Sequence, residues 1–253
     1  MPDNTKSSAT SFDRMRLQVF MARSGFASRR SSENFITSGR VSVNGSIVTE
    51  LGTKVFPSDE VCVDGKKIVL ENTMRYVLLN KPVGYICSLV DEKGRPLAKD
   101  LLKNSYKERL YNVGRLDMFS SGLIIFTNDG SFAEKLSHPS SEIEKEYVVK
   151  TLEPIPENFS SMFEKGIMVN DVFYKCKSAN RVSKDKIHIV LNEGKNREIR
   201  NVFAFFNIKI KYLIRIRIAF LKIEDLAPGQ FRNLLPDEIE NLILLCNQNR
   251  GKK

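Results

Sequence analysis

The spacing of apolar residues near the start of the chain predicts two short helices. Apolar side chains recur at helical spacing over residues 17–21, and Gly25 is placed to end that helix. Ser28 then suits the N-cap of a second helix, which Gly39 ends. The pattern therefore indicates a helix pair joined by a tight connection.

Short β-strands follow this helix pair. The dipeptide Asn44-Gly45 after alternating valines is a strong signal for a two-residue hairpin turn, and Asp64-Gly65 repeats it. Together with the helices, these strands predict a compact unit over residues 13–70. The predicted strands are 41–43, 47–49 and 61–63.

The rest of the chain alternates short β-rich segments with a few helices. We interpret residues 1–12 as a polar flexible tail, 71–75 as a linker, 76–245 as a second domain and 246–253 as a basic tail. Mixed short strands with occasional helices favour an α+β fold on a mixed, mainly antiparallel sheet with flanking helices. The predicted strands are 76–79, 123–126, 147–150, 187–191 and 214–218, and the predicted helices are 131–137 and 196–206.

Charge adds a partner to this picture. The 253 residues carry a formal net charge of +10. The sequence pI is about 9.4. Such a surplus favours a polyanion, and nucleic acid is the commonest one.

Cysteine and histidine usage argues against a zinc site and for a reducing compartment. The four cysteines are scattered, form no C-x-x-C pair, and are accompanied by two histidines only. With no signal peptide, this pattern predicts a cytoplasmic protein without a metal. The longest apolar runs, 122–126 and 242–246, are too short to span a bilayer, so we expect no membrane partner.

Arginine dominates the predicted helix pair. Residues 14–40 contain six arginines against one acid, Glu33. Arg29 and Arg30 open the second helix, where cations oppose the helix dipole and so do not serve helix stability. Guanidinium donors at such positions suit phosphate contacts. The candidate RNA-binding residues of this unit are Arg16, Arg23, Arg29, Arg30 and Arg40.

This segment resembles a known RNA-binding motif. RLQVFMARSGFASRRSSENFITSGRVSVNGSIV, with LGTKVFPSDEVCVDGKKI after it, is similar to the αL motif named after ribosomal protein S-four. The resemblance covers residues 14 to about 70. It implies binding of rRNA or tRNA without saying what is done to the RNA.

A candidate for chemistry lies further along. Gly114-Arg115-Leu116-Asp117 is followed by SSG and the strand-like LIIFTNDG. An aspartate just before a buried strand is held by that strand while it stays open to a cleft. A loop aspartate is also a common turn former, so Asp117 alone does not establish catalysis.

Three further segments strengthen the case. LNKPVGYICS (79–88), HPSSEIEKEYVV (138–149) and EGKNREIRNVF (193–203), together with GRLD, resemble the RsuA/RluB-type rRNA pseudouridine synthases in order and spacing. The likeness covers residues 14 to about 243. It implies isomerisation of a uridine to pseudouridine, a reaction that needs no redox cofactor, metal or nucleotide.

The resemblance also implies roles for individual residues. Asp117 corresponds to the family's catalytic aspartate, acting as nucleophile or base at the ribose. Arg200 corresponds to the basic residue beside it, and we expect its helix to pack on the sheet with Arg200 at the border. Tyr147 corresponds to the tyrosine that stacks on the target base, and Arg115 to the arginine that fills the gap left by the flipped uridine. The candidate phosphate contacts in this domain are Lys81, Lys195 and Arg197.

Two positions depart from the family pattern. Ser120 stands where relatives usually have threonine, and Ala219 stands where a glycine is common. Neither change removes a charged group of the site.

Several alternatives remain at this stage. A methyltransferase would need a Gly-rich nucleotide turn, and an aminoacyl-tRNA synthetase a histidine-rich adenylate signature; neither is present. A non-catalytic rRNA-binding or ribosome-assembly protein stays open. We expect a monomer acting on 23S rRNA, free or in an assembly intermediate, with a 16S uridine as the alternative target.

Overall fold

The computed structural model describes residues 14–224 and 226–251. The chain divides into two compact units, the first reaching Met74 and the second beginning at Arg75. The polar tail predicted for residues 1–12 lies outside the described residues. No helix in the described ranges is long and apolar enough to cross a membrane.

The first unit is built from two helices and six short strands. Ser28 caps the second helix, because its Oγ accepts a hydrogen bond from the Ser31 amide at 3.0 Å, and both Gly25 and Gly39 adopt positive φ after their helices. The predicted helix pair is therefore confirmed. The elements are α1 (Leu17–Arg23), α2 (Arg29–Thr37), β1 (Met15–Arg16), β2 (Val41–Val43), β3 (Ser46–Ile47), β4 (Lys54–Val55), β5 (Val61–Val63) and β6 (Lys66–Ile68).

The four-stranded sheet of this unit runs β3-β2-β5-β6. The Asn44-Gly45 turn has two residues, so Val43 pairs with Ser46 and β3 begins one residue before the predicted strand at 47–49. The core under the helices is apolar. It consists of Leu17, Phe20, Met21, Ile36, Val41, Val55, Val61 and Val63.

The second unit contains a nine-stranded sheet and four α-helices. All five strands and both helices predicted for it are confirmed. The strands missed by sequence are two or three residues long or, like β13, polar, and carry no clear period. The strands are β7 (Tyr76–Lys81), β8 (Tyr111–Val113), β9 (Ser121–Thr127), β10 (Lys145–Thr151), β11 (Ile167–Val169), β12 (Val172–Tyr174), β13 (Ser178–Ser183), β14 (Lys186–Leu191), β15 (Ile210–Ile218), β16 (Leu221–Lys222) and β17 (Phe231–Asn233). The α-helices are α3 (Gly130–Ser137), α4 (Phe159–Lys165), α5 (Glu198–Phe205) and α6 (Pro236–Arg250), and two 3₁₀ helices cover Ala98–Leu102 and Pro139–Ser141.

The large sheet runs β13-β14-β10-β15-β9-β7-β17, while β8 pairs with β9 and β16 with β15; β11 and β12 form a separate hairpin. Among the described pairings of this sheet, β9–β15 is parallel and the others are antiparallel. The expected α+β fold on a mixed, mainly antiparallel sheet is therefore confirmed. Because β7 pairs along one edge of β9, the strands β15 and β8 share its other edge.

Both faces of the central strands are covered. In β9, Ile124 and Phe126 belong to the apolar cluster that includes residues of α4 and α5, whereas Leu123 and Ile125 belong to the cluster that includes residues of α3 and α6. This arrangement explains why the run LIIF is continuously apolar instead of alternating.

The basic tail predicted at 246–253 is wrong over its first five residues. Helix α6 continues to Arg250, because Leu242 and Cys246, four residues apart, are both buried against the second cluster. Asn249 and Arg250 then donate hydrogen bonds to Ser141. The last two residues lie outside the described ranges.

Candidate active site

The loop from β8 to β9 holds Asp117 in a fixed place. Gly114 opens the loop at φ +72°, and the Ser120 amide donates to the Asp117 carbonyl at 3.0 Å. Leu116 is buried, whereas the Asp117 side chain keeps 32% of its surface exposed. The backbone is therefore anchored while the carboxylate faces outward.

Arg200 lies beside this carboxylate. Its helix α5 buries Ile199, Val202 and Phe203, which leaves Arg200 at the border, as the sequence predicted. The Arg200 Nε is 3.5 Å from Oδ2 of Asp117. Burial lowers the pKa of the Arg200 guanidinium, while Asp117 opposes that shift.

Arg197 is a second cation at the same carboxylate. Its Nη1 lies 3.7 Å from Oδ2 of Asp117, a position that sequence reasoning did not foresee when it assigned Arg197 to a phosphate. Arg197 adopts a positive φ of 48° just before α5, and half of its side chain is exposed. Lys195 is more engaged, because its Nζ donates to the Phe173 carbonyl and pairs with Glu193, both at 2.8 Å.

One pocket of about 90 Å³ collects the four residues predicted to be catalytic. Asp117 and the exposed Arg115 come from the loop before β9, Tyr147 from β10 and Arg200 from α5. Tyr147 is 8% exposed, so its ring is part of the wall of this pocket. Lys195, Arg197 and Glu198 line the same pocket, which therefore combines two carboxyl groups, several cations and an aromatic ring.

Lys81 is not a phosphate contact, and that prediction is wrong. The residue is fully buried at the end of β7, and its Nζ donates to the carbonyls of Pro82 and Tyr85, each at 2.9 Å. Burial lowers the pKa of its ammonium group to about 8. The long stem of Lys81 continues the buried face of the strand, so its charge does not reach solvent.

The five candidate RNA-binding arginines of the first unit separate into two groups. Arg40 donates to both carboxylate oxygens of Asp64 and lies over the Phe35 ring at 4.4 Å, so its guanidinium braces the unit itself. The other four are exposed and form no ion pair with a described residue. They are Arg16, Arg23, Arg29 and Arg30.

Sequence reasoning missed three ionisable residues around the pocket, of which Glu198 and Arg215 are buried and Lys145 is partly buried. Glu198 is 3% exposed, and burial raises the pKa of its carboxyl to about 7. Lys145 and Arg215 come from neighbouring strands, and Arg215 is also 3% exposed. Residues 214–218, IRIRI, alternate apolar and charged side chains, a pattern typical of a half-exposed strand. Only the closed sheet shows that Arg215 is internal.

Comparison with known proteins decides the family. A family model described as RNA pseudouridylate synthase matches residues 75–205, just over half of the chain, and includes Asp117, Tyr147 and Arg200. This chain belongs to the RNA pseudouridine synthase family. The S4 domain model matches residues 15–61 of this synthase, which identifies the first unit as the RNA-binding module expected from its sequence.

Relatives match the synthase over nearly its whole length. It is 40% identical to "Ribosomal large subunit pseudouridine synthase B" of Bacillus subtilis, over 93% of this chain and 98% of that protein. It is also 40% identical to "Uncharacterized RNA pseudouridine synthase" of Borreliella burgdorferi, over 90% of this chain and 92% of that one. A solved structure titled "Crystal structure of pseudouridylate synthase" superposes with a TM-score of 0.66 at 27% identity, covering 90% of this chain and 99% of that chain.

Proposed function

We propose that this synthase isomerises a uridine of large-subunit ribosomal RNA, with the Asp117 carboxylate acting on the ribose of a flipped-out nucleotide. The single observation that carries the proposal is the Asp117 carboxylate paired with Arg197 and Arg200 in the pocket that Tyr147 and Arg115 also line. The name of the Bacillus subtilis relative, a large-subunit pseudouridine synthase, supports the large subunit as the source of the RNA.

The chemistry explains why a carboxylate needs cations here. Pseudouridine formation breaks the C1′–N1 bond, turns the base and rejoins it through C5. Asp117 either attacks C1′ or removes the C2′ proton, and both versions need its anionic form. Two guanidinium groups within 4 Å compensate that charge, while the exposed part of the carboxylate stays open to the ribose.

Tyr147 and Arg115 are proposed to handle the base and the space it leaves. The Tyr147 ring lines the pocket next to the carboxylate, where it can stack on the uracil and take part in proton removal from C5. Arg115 is two residues before Asp117 and exposed, so it can enter the helix stack at the vacated position. Extruding a base costs a few kcal/mol, which these contacts offset.

Binding of the surrounding RNA falls to exposed cations. Phosphate contacts position an RNA without reading its sequence. The exposed arginines of the first unit that form no ion pair with a described residue suit that task; they are Arg16, Arg23, Arg29 and Arg30. Within the second unit, Lys195 and Arg197 add two cations at the pocket itself. We propose that the synthase acts as a monomer. We also propose that it acts in the cytoplasm, because ribosomal RNA is made and modified there in bacteria.

The first experiment replaces Asp117 with asparagine. We expect pseudouridine formation in ribosomal RNA to be abolished, whereas RNA affinity stays within about threefold of the parent. Asp171→Asn is a matched control, because Asp171 is exposed, lies outside the pocket and has a positive φ of 62° that asparagine tolerates. Pseudouridine yields unchanged by Asp117→Asn would remove the catalytic assignment.

The second experiment identifies the RNA. Pseudouridines are mapped in both ribosomal RNAs from cells lacking this protein and from cells in which it is restored. We expect one large-subunit pseudouridine to disappear and return. Loss of a small-subunit pseudouridine instead would contradict the large-subunit assignment but leave the reaction in place.

A further inference from the structure

A second pocket of about 130 Å³ adjoins the first one. Arg115, Tyr147 and Gly194 line both pockets, whereas Asp117 lines only the first. The second pocket has walls from β8, β9, β10 and β15. It lies where β15 and β8 share one edge of β9, because β15 pairs at Ser121 and Gly122 and β8 only from Ile125 onward.

Arg215 lies at this gap in the sheet. Its Nε donates to the Leu123 carbonyl at 2.6 Å, which satisfies a backbone acceptor that neither neighbouring strand reaches. Its Nη2 is buried and has no hydrogen-bond partner among the described atoms. Arg215 is also the cross-strand partner of Tyr147. A cationic donor without a hydrogen-bond partner among the described atoms therefore belongs to the residue next to this tyrosine on the adjacent strand.

Lys145 adds a second, partly buried cation to the same pocket. Its Nζ donates to the Ile143 carbonyl at 2.7 Å. The pKa of its ammonium group is lowered to about 8, mainly by desolvation and to a smaller extent by repulsion from Arg215. Neither Lys145 nor Arg215 forms an ion pair with a carboxylate among the described residues. A buried cation without a counter-ion, as Arg215 is, is costly, so its retention next to a second cation points to a ligand that carries negative charge.

We propose that the second pocket receives the uracil once it has detached from the ribose, and that Arg215 stabilises the negative charge on this base. The inference rests on the proposed function. When the C1′–N1 bond breaks, its electron pair stays on N1 and spreads to the O2 and O4 oxygens of uracil. The anion then turns and C5 bonds to C1′. This step releases the Asp117 oxygen from C1′ if Asp117 attacked there, or returns the proton from Asp117 to C2′ if Asp117 had removed it. A base then takes the proton from C5, and N1 gains a proton. Uracil departs as an anion whether Asp117 attacks C1′ or takes the C2′ proton.

The walls of the pocket favour a base over a phosphate. Four apolar side chains line the pocket: Val113, Ile125, Ile143 and Ile218. They can pack against a flat ring, whereas a phosphate would lose its hydration against them. The same pocket is lined by Arg115, Lys145 and Arg215, so it combines apolar walls for a ring with cations for a charged oxygen on that ring. The two pockets adjoin each other at Tyr147. The detached base could therefore turn between them without leaving the protein.

The test compares two substitutions of Arg215 on two RNAs. Arg215→Gln removes the charge but keeps an N–H for the Leu123 carbonyl, and Arg215→Lys keeps the charge. The RNAs carry either uridine or 5-fluorouridine at the target position, because fluorine stabilises the uracil anion and reduces the need for a cation. Loss of the intact nucleoside under single-turnover conditions reports breakage of the C1′–N1 bond for both. Arg217→Gln is the matched control, since Arg217 is on the same strand, pairs with Glu144 and Glu146 and lines neither pocket.

We expect Arg215→Gln to slow cleavage of uridine by about 100-fold, the usual effect of losing one charge-stabilising donor. With 5-fluorouridine the loss should shrink to about tenfold or less, while Arg215→Lys should lose less than Arg215→Gln on uridine. Equal losses on both RNAs, a lysine variant as slow as the glutamine variant, or no loss would each overturn the proposal. If Arg215→Gln does not fold, the lysine variant on the two RNAs decides alone, with a larger loss on uridine than on 5-fluorouridine expected. Failure of the proposed function can be told apart from failure of this inference, because the parent synthase without any substitution would then leave uridine intact.

Discussion

The Nε of Arg200 lies 3.5 Å from Oδ2 of Asp117 but has no hydrogen-bond partner among the described atoms. The guanidinium is instead held through Nη2, which donates to the Phe119 carbonyl at 2.7 Å and to Ser120 Oγ at 3.0 Å. The loop that carries the carboxylate therefore also positions its counter-ion. Asp117 therefore has its charge compensated by the two arginines while its oxygens keep their hydrogen-bonding capacity.

Ser120→Ala should slow pseudouridine formation, because it removes a hydrogen bond that holds Arg200 beside Asp117. We expect a loss of about tenfold in the single-turnover rate, which corresponds to one ordinary hydrogen bond. Ser120→Thr is the matched control, since it keeps the hydroxyl and restores the residue usual in relatives. An alanine variant as fast as the threonine variant would contradict this role for Ser120.

Neutralising the exposed arginines of the first unit should flatten the salt dependence of RNA binding. Replacing Arg16, Arg23, Arg29 or Arg30 with glutamine should reduce the slope of log affinity against log salt by about 0.7–0.9 for each phosphate that the protein no longer neutralises. Arg40→Gln should leave the slope unchanged, because Arg40 is paired with Asp64. Titrations at several salt concentrations measure this, and an unchanged slope in the fourfold variant would refute the assignment.

Gly122→Ala should strongly destabilise the second unit. A Cβ at Gly122 would lie 2.2 Å from the Arg215 carbonyl oxygen and 2.6 Å from its nitrogen, and the residue has φ +107°. These atoms are backbone at the parallel β9–β15 pairing, so they cannot move aside easily. We expect a loss of about 3 kcal/mol in the free energy of unfolding, measured by urea denaturation.

Gly229→Ala is the control for backbone strain without a clash. Gly229 has a similar φ of +86°, but a Cβ there meets nothing within 4 Å. Its cost should be about 1–2 kcal/mol. Equal costs at the two glycines would show that close packing between β9 and β15 is unimportant.

The buried carboxyl of Glu198 should make folding stability decrease with pH. Burial raises its pKa to about 7 in the folded state, from an ordinary value of 4.5, so between these values the folded protein binds more protons than the unfolded chain. Stability from this group is therefore complete below about pH 4.5 and is lost as pH rises through 7, by up to about 3 kcal/mol.

Glu198→Gln removes the titration and should flatten the pH dependence of the free energy of unfolding between pH 5 and 7. Glu134→Gln replaces an exposed glutamate and should leave the pH dependence as it is. Urea denaturation at several pH values compares them. Parallel pH curves for the parent and the Glu198 variant would contradict the prediction.

Local features of the sequence were sufficient for much of this protein. The Ser28 cap, the glycines after both helices and the Asn44-Gly45 turn act within a few residues of themselves, so they predict the first unit without its partners. The apolar run at 123–126 likewise predicts a buried strand. The same holds for Asp117, Tyr147 and Arg200, because their motifs are contiguous and lie on elements with clear periods.

Other properties depended on segments far apart in the chain. Helix α6 continues through Cys246 because its apolar positions meet the cluster beside α3, which no local pattern reveals. Arg197 lies beside Asp117 although eighty residues separate them, so its distance from the carboxylate depends on how α5 packs on the sheet.

By itself, then, the sequence determined the two units, their fold class and four residues that the tertiary structure brings together in one pocket. Only the tertiary structure decided which charges are internal. Lys81 was predicted to contact phosphate and Arg215 had no predicted role, yet both are buried. Covering both faces of the central strands closes off positions that a one-sided sheet would expose. Burial is a property of the assembled layers, and it turned a predicted phosphate contact into an internal lysine and an unremarked arginine into a candidate catalytic group.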